Sequence, residues 1–343
     1  MSNYNELDDG LEIVSLKSPE TPKRSRLFSL EPVGIGTSQT ESLSSYVNRL
    51  AEAHCVKSQK LIMLEIAPQI LGKDYQSPLH SKDVSSLFGN TDAKPALNGM
   101  RDMKLLLVQA LEKLTQRQDL KYLTCLSWKE VINKRGLFRQ YRAWCPQCYE
   151  QCKQDKVSLY DPLLWSFKDV KFCLHHQCQL VDECPKCGSH LPVIANFLPL
   201  GHCFYCGEWL GDNKNKNPKC NFKNFPESLL IIKNIGDLIA VTPRLGSQPT
   251  LDEFIQKLQL ILFCFEKVIS QDLKHIKVLG KIIEHLKLNL SQHGDKPLNL
   301  IKIIIPVCSK AHISVSELFL EDLTGLSKIL FDNFQINYQL PIL

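Results

Sequence analysis

The sequence reads CPQC at residues 145–148, CLHH at 173–176, CPKC at 184–187 and CFYC at 203–206. Each of these four C-x2-C or C-x2-H motifs can present two ligands to one metal ion from a single tight turn. The other two ligands of that ion must come from a second turn folded back against the first. The spacers within the two pairs of motifs are 24 and 15 residues long, which allows that return. The spacing therefore predicts two zinc ions. The predicted ligand sets are Cys145, Cys148, Cys173 and His176 for the first site, and Cys184, Cys187, Cys203 and Cys206 for the second.

Both predicted sites are structural, because four protein ligands leave no open position for a substrate or an activated water. The fourth ligand of the first site has competitors nearby in the sequence. We prefer His176 because its x2 step matches the other three pairs; the competitors are Cys152, His175 and Cys178. Four further cysteines lie among Leu, Ile, Val and Ala, so we expect each to be a small buried apolar residue. They are Cys55, Cys125, Cys264 and Cys308.

The composition is typical of a globular protein. The chain has 343 residues, of which 44% are hydrophobic and 22% are charged, and this length predicts two or three domains. Its fourteen cysteines include several C-x2-C pairs, and the first 30 residues contain no apolar signal stretch, which together predict a reducing compartment. No apolar run reaches the length of a membrane span. We therefore expect a cytoplasmic protein with no membrane partner.

Basic residues cluster just before the first cysteine pair. The net charge of the chain is only +5, but residues 129–142 carry five basic side chains against one acid, with Trp, Phe and Tyr residues interleaved. Phosphates pair with arginine and lysine, and bases stack on aromatic rings, so this pattern predicts a surface that faces nucleic acid. A solvated surface is the alternative. The predicted nucleic-acid-binding residues are Lys129, Lys134, Arg135, Arg139 and Arg142.

Two stretches predict helix-turn-helix units. In the first, Leu43, Tyr46 and Leu50 recur at helical spacing, a break follows near residues 54–56, and Ser58 begins a second helix. Two short helices joined by a tight turn are typical of a helix-turn-helix, although an ordinary helical hairpin has the same pattern. A shift of 257 residues superposes Leu43 on Leu300 and predicts a second unit at 298–319, with its turn at 311–314.

These patterns predict a mainly α fold with a central zinc-ribbon module, in which strands occur only as short pieces. We expect a flexible arm at 1–26, an N-terminal helix-turn-helix domain at 27–140, two zinc fingers at 141–220 and a C-terminal helical domain at 221–343. A polar linker is predicted at 211–225. The sequence has no H-E-x-x-H, no nucleotide P-loop and no deaminase H-x-E signature, so we expect no enzymatic activity.

The order of these features resembles the TniQ/TnsD family. The stretch ESLSSYVNRLA at 41–51 is similar to the family's E-S-L-x-S-W-x-x-R-L-A. The metal-ligand region, from Arg142 through CPQC, Trp165, CLHH and Leu180 to CPKCG, is similar to the family's arginine, C-P-x-C, tryptophan and C-x-x-H-x-x-x-L-x-x-x-C-P-x-C-G. Tyr46 replaces the usual Trp, and Leu174 replaces a common proline. The resemblance covers about residues 27–210 and supports His176 as the fourth ligand.

The resemblance implies a non-enzymatic target-selection protein of a transposon. Such proteins recruit the AAA+ ATPase TnsC, which in turn recruits the transposase. TnsD-like members bind an attachment site directly, whereas TniQ-like members dock on a Cascade-like CRISPR effector complex, whose guide RNA reads the target DNA. We favour the TniQ-like route, because only a short helical region follows the metal module. A homodimer is a further expectation, and a zinc-containing transcriptional regulator is the second alternative.

Overall fold

The computed structural model describes residues 24–71, 102–193, 200–211, 225–271, 283–284, 287–288 and 297–336. The predicted arm lies outside these residues except for 24–26, and the predicted linker lies outside them except for its two ends. Among the helices in the described ranges, none combines the length and apolar character that a bilayer crossing requires.

Helices dominate the described residues. Those before the metal-ligand motifs are α1 (Leu43–Ala53), α2 (Ser58–Leu61), a π-helical segment (Ile62–Ile66), α3 (Ala67–Leu71) and α4 (Asp102–Thr115). The first cysteine pair begins α5 (Pro146–Gln154). The later helices are α6 (Phe225–Val241), α7 (Leu251–Gln271), a π-helical segment (Leu300–Ile304), α8 (Ile305–Lys310), α9 (Val315–Leu320) and α10 (Leu323–Phe334). Short 3-10 turns lie at Leu120–Leu123, Leu126–Trp128, Leu163–Ser166 and Thr242–Arg244.

The described residues contain no β-sheet, only isolated β-bridges. Pairs such as Glu183 with His190 and His202 with Trp209 join the two sides of single turns in the cysteine-rich region. The strands are therefore shorter than expected, because each turn reverses the chain after one bridging pair. A mainly α fold is confirmed, whereas the layout as helix-turn-helix and zinc-finger domains stays a prediction.

Two hydrophobic cores organise the chain. The smaller core draws its buried side chains from residues 27–126 and includes Leu43, Tyr46 and Leu50. Tyr46 fills the position of the family's Trp: it is fully buried, and its hydroxyl donates to the carbonyl of Leu30 at 3.1 Å. Burial raises the pKa of Tyr46 to about 12. The larger core spans 125–336 and joins the residues around the cysteines to the C-terminal helices. The boundaries at 140 and 220 stay predictions.

The two predicted helix-turn-helix units share their helix caps and their turns, although the second begins with a π-helical segment, Leu300–Ile304, where the first is α-helical. We call residues 42–61 the first copy and residues 299–318 the second copy. Their helices are capped alike: the Ser42 hydroxyl accepts from the amide of Ser45 at 3.2 Å, and the Asn299 side-chain oxygen accepts from the amide of Lys302 at 2.8 Å. The offset between these hydrogen bonds is the 257 residues predicted from the sequence.

The turns of the two copies match equally well. Cys55 has φ 54° and His312, 257 positions later, has φ 53°, so each turn has a non-glycine residue in the left-handed region. The amide that follows each of them bonds back in the same way, over 2.9 Å in the first copy and 3.1 Å in the second. The repeat is therefore a repeat of backbone hydrogen bonds as well as of apolar spacing.

Candidate metal centres and basic surface

The first predicted metal site is assembled by a helix start and a tight turn. Cys145 caps α5, its sulfur accepts from the amide of Cys148 at 3.4 Å, and Pro146 lies in the first turn, where no intrahelical donor is needed. The opposite ligands come from the turn at 173–178, closed by the amide of Cys173 on the carbonyl of Cys178 at 2.8 Å. The four predicted ligands therefore converge from two rigid pieces of backbone.

The second predicted site is made of two equivalent turns. In each, a glycine amide donates back to the first cysteine's carbonyl at 2.9 Å: Gly188 to Cys184 and Gly207 to Cys203. Both glycines have positive φ, 70° and 74°, a conformation that L side chains rarely adopt. The turn therefore favours the glycines that follow CPKC and CFYC, although Gln177 adopts the same conformation after CLHH, with φ 50°.

Distances between the ligand atoms fit zinc at both sites. Zinc–sulfur bonds of about 2.3 Å in a tetrahedron place neighbouring ligand atoms about 3.8 Å apart. At the first site, the His176 Nδ1 atom lies 3.2 Å from the Cys148 sulfur and 3.8 Å from the Cys173 sulfur. At the second, Cys184 to Cys206 and Cys187 to Cys203 are both 3.6 Å. In each set of four, the ligand atoms lie within 4.8 Å of one another, so both sets can hold a zinc ion.

The two centres differ in their surroundings. Cys145 and Cys173 are buried and belong to the larger core. Around the second centre, Cys187 is exposed, and an ion pair between Lys186 and Glu208, 3.0 Å long, lies at the surface. Cys184 and Cys203 also belong to the larger core. Both centres therefore border that core, and the second differs in having one exposed ligand, Cys187.

The cysteines outside the two ligand sets occupy two kinds of place. Cys125, Cys264 and Cys308 are buried, as predicted, and burial raises the pKa of each thiol. The prediction was wrong for Cys55, which is exposed. Its left-handed backbone places it at the turn of the first copy, where its apolar sequence neighbours do not enclose it.

The five predicted nucleic-acid-binding residues do not form one exposed surface. Lys134 and Arg135 are exposed, and Lys129 and Arg139 are half-buried. A guanidinium nitrogen of Arg139 donates to the carbonyl of Val170, and burial lowers the pKa of this side chain against the influence of Asp182 and Asp169. A contact with nucleic acid stays a prediction for these four residues.

Arg142 occupies a different environment and requires a correction. Its side chain is only 7% exposed. Its Nε donates to the carboxylate of Asp161 at 2.6 Å, and another nitrogen donates to the hydroxyl of Tyr149. Burial opposes its charge, but Asp161 and Tyr149 raise the pKa of Arg142 overall. Arg142 is therefore an internal ion-pair partner and no longer counts as part of the basic surface.

Asp161 also fastens the first copy to the metal module, a contact that the sequence analysis missed. Its carbonyl accepts from the amide of Ser42 at 2.9 Å, and its amide donates to the hydroxyl of Ser45 at 3.0 Å. A third hydrogen bond lies two residues further along, where the amide of Leu163 donates to the carbonyl of Thr40 at 2.7 Å. The start of α1 is therefore bonded directly to the segment between the two halves of the first centre.

Glu41 completes this connection from the other side. It is fully buried, accepts from the Ser45 hydroxyl at 2.9 Å and pairs with Arg49 at 2.5 Å. Burial raises the pKa of Glu41, and Arg49 limits the rise. We call the following set the joint: Glu41, Ser45, Arg49, Arg142, Tyr149 and Asp161. The E-S-L-x-S and arginine motifs in the sequence contain Glu41, Ser45 and Arg142. Nothing in these motifs indicated that Asp161 bonds to both Ser45 and Arg142.

Comparison with known proteins agrees with this arrangement. Residues 32–180 match the family model TniQ. The matched stretch contains the first copy, the whole joint and all four ligands of the first centre, and it ends before the second centre. No curated protein matches the chain. The chain therefore contains a TniQ domain at residues 32–180, and such a domain indicates a transposition-associated protein.

Proposed function

We propose that this protein is a non-enzymatic target-selection adaptor of a transposon. On this proposal it links a Cascade-like CRISPR effector complex, bound with its guide RNA at target DNA, to the AAA+ ATPase TnsC and through it to the transposase. The TniQ domain supports the association with transposition. An adaptor of this kind needs no catalytic group, because holding the ATPase beside DNA raises its local concentration there.

The charge difference between the two copies is the observation that most favours the guided route. In helix-turn-helix proteins, the second helix enters the major groove and its first residues contact bases. That helix carries Lys57 and Lys60 on the surface of the first copy. The equivalent positions of the second copy are Ser314 and Glu317, so a cation is replaced by an acid.

Two further acids lie just beyond this helix. Glu321 occupies the position of Leu64, and Asp322 follows it. The carboxylate of Glu317 accepts from the amide of Ser314 at 2.6 Å, so a negative charge lies at the helix start that would face bases. Phosphates repel such a surface. The acids at this second helix therefore disfavour base reading by the second copy.

The joint supports a bridging role. Buried, fully bonded polar networks hold their elements in one arrangement, and here Asp161 bonds the first copy to the metal module through both backbone and side chain. A fixed spacing between two partner-binding surfaces suits an adaptor whose function is to place an ATPase next to a bound complex.

Two structural zinc ions complete the proposal. The first set of ligands would join α5 to the turn at 173–178, and the second would hold the turns at 184–188 and 203–207 together. Bound zinc supplies folding free energy, about 10–16 kcal/mol in small modules, so Cys187→Ser should unfold the second centre. Metal analysis of freshly purified protein should give two zinc ions per chain; one or none would contradict the proposal.

Two alternatives remain within reach of experiment. A TnsD-like protein would bind one attachment site unaided, and a transcriptional regulator would bind an operator without any transposition genes nearby. An adjacent ATPase and transposase gene would argue against the regulator, and adjacent CRISPR genes would favour the guided route. Light scattering of the purified chain tests the expected homodimer.

A footprint on DNA that carries the native insertion locus separates the two transposon routes. We expect weak protection without sequence preference from the protein alone, and protection at the guide-matched site only after addition of the CRISPR complex. Protection of one defined segment by the protein alone would establish direct attachment-site binding and overturn the guided proposal. A guide of the same length with a scrambled sequence is the control.

A further inference from the structure

We propose that Cys178 is a reserve ligand of the first metal centre, able to complete a four-thiolate set when His176 is lost. This inference rests on the proposed zinc ion at that centre, and it concerns which of this chain's side chains can hold the ion. Nothing in the family's C-x-x-H signature includes position 178, so the assignment comes from the geometry alone.

The position of the Cys178 thiol carries the proposal. Its sulfur lies 3.4 Å from the sulfur of Cys145, about the separation of two ligands on one tetrahedral ion. Cys178 is not in the group of four mutually close donors, where His176 occupies the fourth place. The thiol is therefore adjacent to the ligand cage, against one of its members, without being part of it.

The backbone holds Cys178 in that place. Its carbonyl accepts from the amide of Cys173 at 2.8 Å, so the two ends of the turn are tied together. Between them, Gln177 has φ 50°, which makes the turn tight enough to return position 178 to the centre. Since Cys173 is a predicted ligand, the bond that shapes the ligand turn also positions the spare thiol.

The other competitors in the sequence lack this placement. His175 is exposed, one residue from the ligand histidine. Cys152 is half-buried on α5 and, like Cys178, is not in the group of four. Cys178 is buried and has a direct sulfur–sulfur contact with a predicted ligand.

The chemistry of the exchange is simple. Without the imidazole, Cys145, Cys148 and Cys173 would supply three thiolates to a bound zinc ion, and zinc accepts four thiolates as readily as three thiolates and a histidine. Cys178 would bind as a thiolate, a zinc–sulfur bond replacing the zinc–nitrogen bond, and its proton would pass to water. Only side-chain rotation and a small shift of the turn are needed, because the thiol already touches the cage.

Four single variants and one double variant of the full chain test the proposal. His176→Ala should keep two zinc ions per chain, whereas His176→Ala combined with Cys178→Ser should keep only the ion of the second centre. Cys178→Ser alone should keep two ions with unchanged ligand type. His175→Ala and Cys152→Ser are the matched controls and should behave as the unaltered protein. The second centre serves as an internal reference for metal content.

Cobalt(II) substitution gives a second readout that does not depend on the double variant folding. The visible spectrum of the first centre in His176→Ala should change from a three-thiolate to a four-thiolate pattern. Chelator competition measures zinc affinity. The first centre of the double variant should lose much more affinity than the 10–100-fold that a change outside the ligand set causes.

Each contrary outcome is distinct. If His176→Ala loses one zinc ion or keeps a three-thiolate spectrum, Cys178 is only a buried neighbour and the proposal is overturned. If Cys178→Ser alone loses an ion, Cys178 is the native ligand and the reserve role is wrong. If the unaltered protein holds no zinc at this centre, the proposed metal itself fails, separately from the role of Cys178.

Discussion

The first and second copies share their caps and turns but have different surfaces. Their caps, turn conformations and returning hydrogen bonds coincide at an offset of 257 residues. Their second helices differ, with Lys60 in one where Glu317 stands in the other. The buried apolar positions and the turn set the backbone, whereas the exposed positions are free to specify the partner. A repeated helix-turn-helix backbone is therefore not by itself a repeated function.

The two copies also differ in the contacts that attach them to the rest of the chain. The first copy is held by the polar joint, in which buried charges are paired. Just after the second copy, the ring of Phe319 lies 4.7 Å from Trp128 and stacks 5.2 Å from Phe254. Polar contacts add to this packing, because the side-chain amide of Asn333 donates to the carbonyls of Ala311 and His312. Polar networks fail abruptly when one partner is removed, and apolar packing fails in proportion to the volume removed. The following predictions test that contrast.

The largest effect is expected at the joint. Arg142→Ala removes the main partner of the Asp161 carboxylate and leaves a mostly buried charge, which typically costs about 3–5 kcal/mol. Urea unfolding should show that loss, and limited proteolysis should release the first copy from the metal module. Arg135→Ala is the matched control, because this arginine is exposed and surface changes usually stay within about 0.5 kcal/mol. Equal stability of the two variants would contradict the structural role of the joint.

A somewhat smaller loss of stability is expected at the aromatic packing beside the second copy. Phe319→Ala empties a buried aromatic position beside Trp128 and should destabilise the protein by about 3 kcal/mol. Zinc content should not change, since the described ring contacts of Phe319 are with Trp128 and Phe254, outside both predicted ligand sets. Leu320→Ala, one residue later and 38% exposed, is the control. If Phe319→Ala releases zinc, the second copy and the metal centres are more closely coupled than the packing indicates.

The charge difference should appear in duplex DNA binding as an effect of about tenfold. Lys60→Glu should weaken non-specific affinity and flatten its salt dependence by about 0.9 for each phosphate that the protein no longer neutralises. Glu321→Lys adds a cation just beyond the second copy and should leave binding unchanged if that copy faces protein. Glu317 is unsuitable for this test because its carboxylate caps α9. Unchanged DNA affinity in Lys60→Glu would remove the first copy from the DNA-facing surface.

The sequence predicted those parts of the fold and of the candidate sites whose residues lie close together in the chain. The two groups of four residues that could hold zinc and the repeated turn follow local rules, namely the C-x2-C turn and apolar spacing, and the sequence predicted both groupings. The joint was not predicted, because Ser45 and Asp161 are 116 positions apart and no spacing rule links them. Arg142 was misplaced for the same reason: a run of basic residues does not reveal which guanidinium has a buried carboxylate to pair with.

Cys55 shows a second limit, and it leads to the smallest predicted effect. The apolar neighbours of Cys55 suggested burial, but a left-handed turn at this position exposes it, as the turn at His312 exposes the equivalent residue.

Left-handed backbone costs an L residue about 1 kcal/mol relative to glycine, part of which glycine loses again through the entropy of the unfolded chain. Cys55→Gly and His312→Gly should therefore each raise the free energy of unfolding by about 0.5 kcal/mol, and Cys55→Val and His312→Val should each lower it by about 1–2 kcal/mol. Thermal and urea unfolding of the four variants measure both shifts. Equal responses at the two positions would extend the equivalence of the copies from geometry to energetics, whereas a response at only one would show that the shared φ is enforced by different surroundings in each copy.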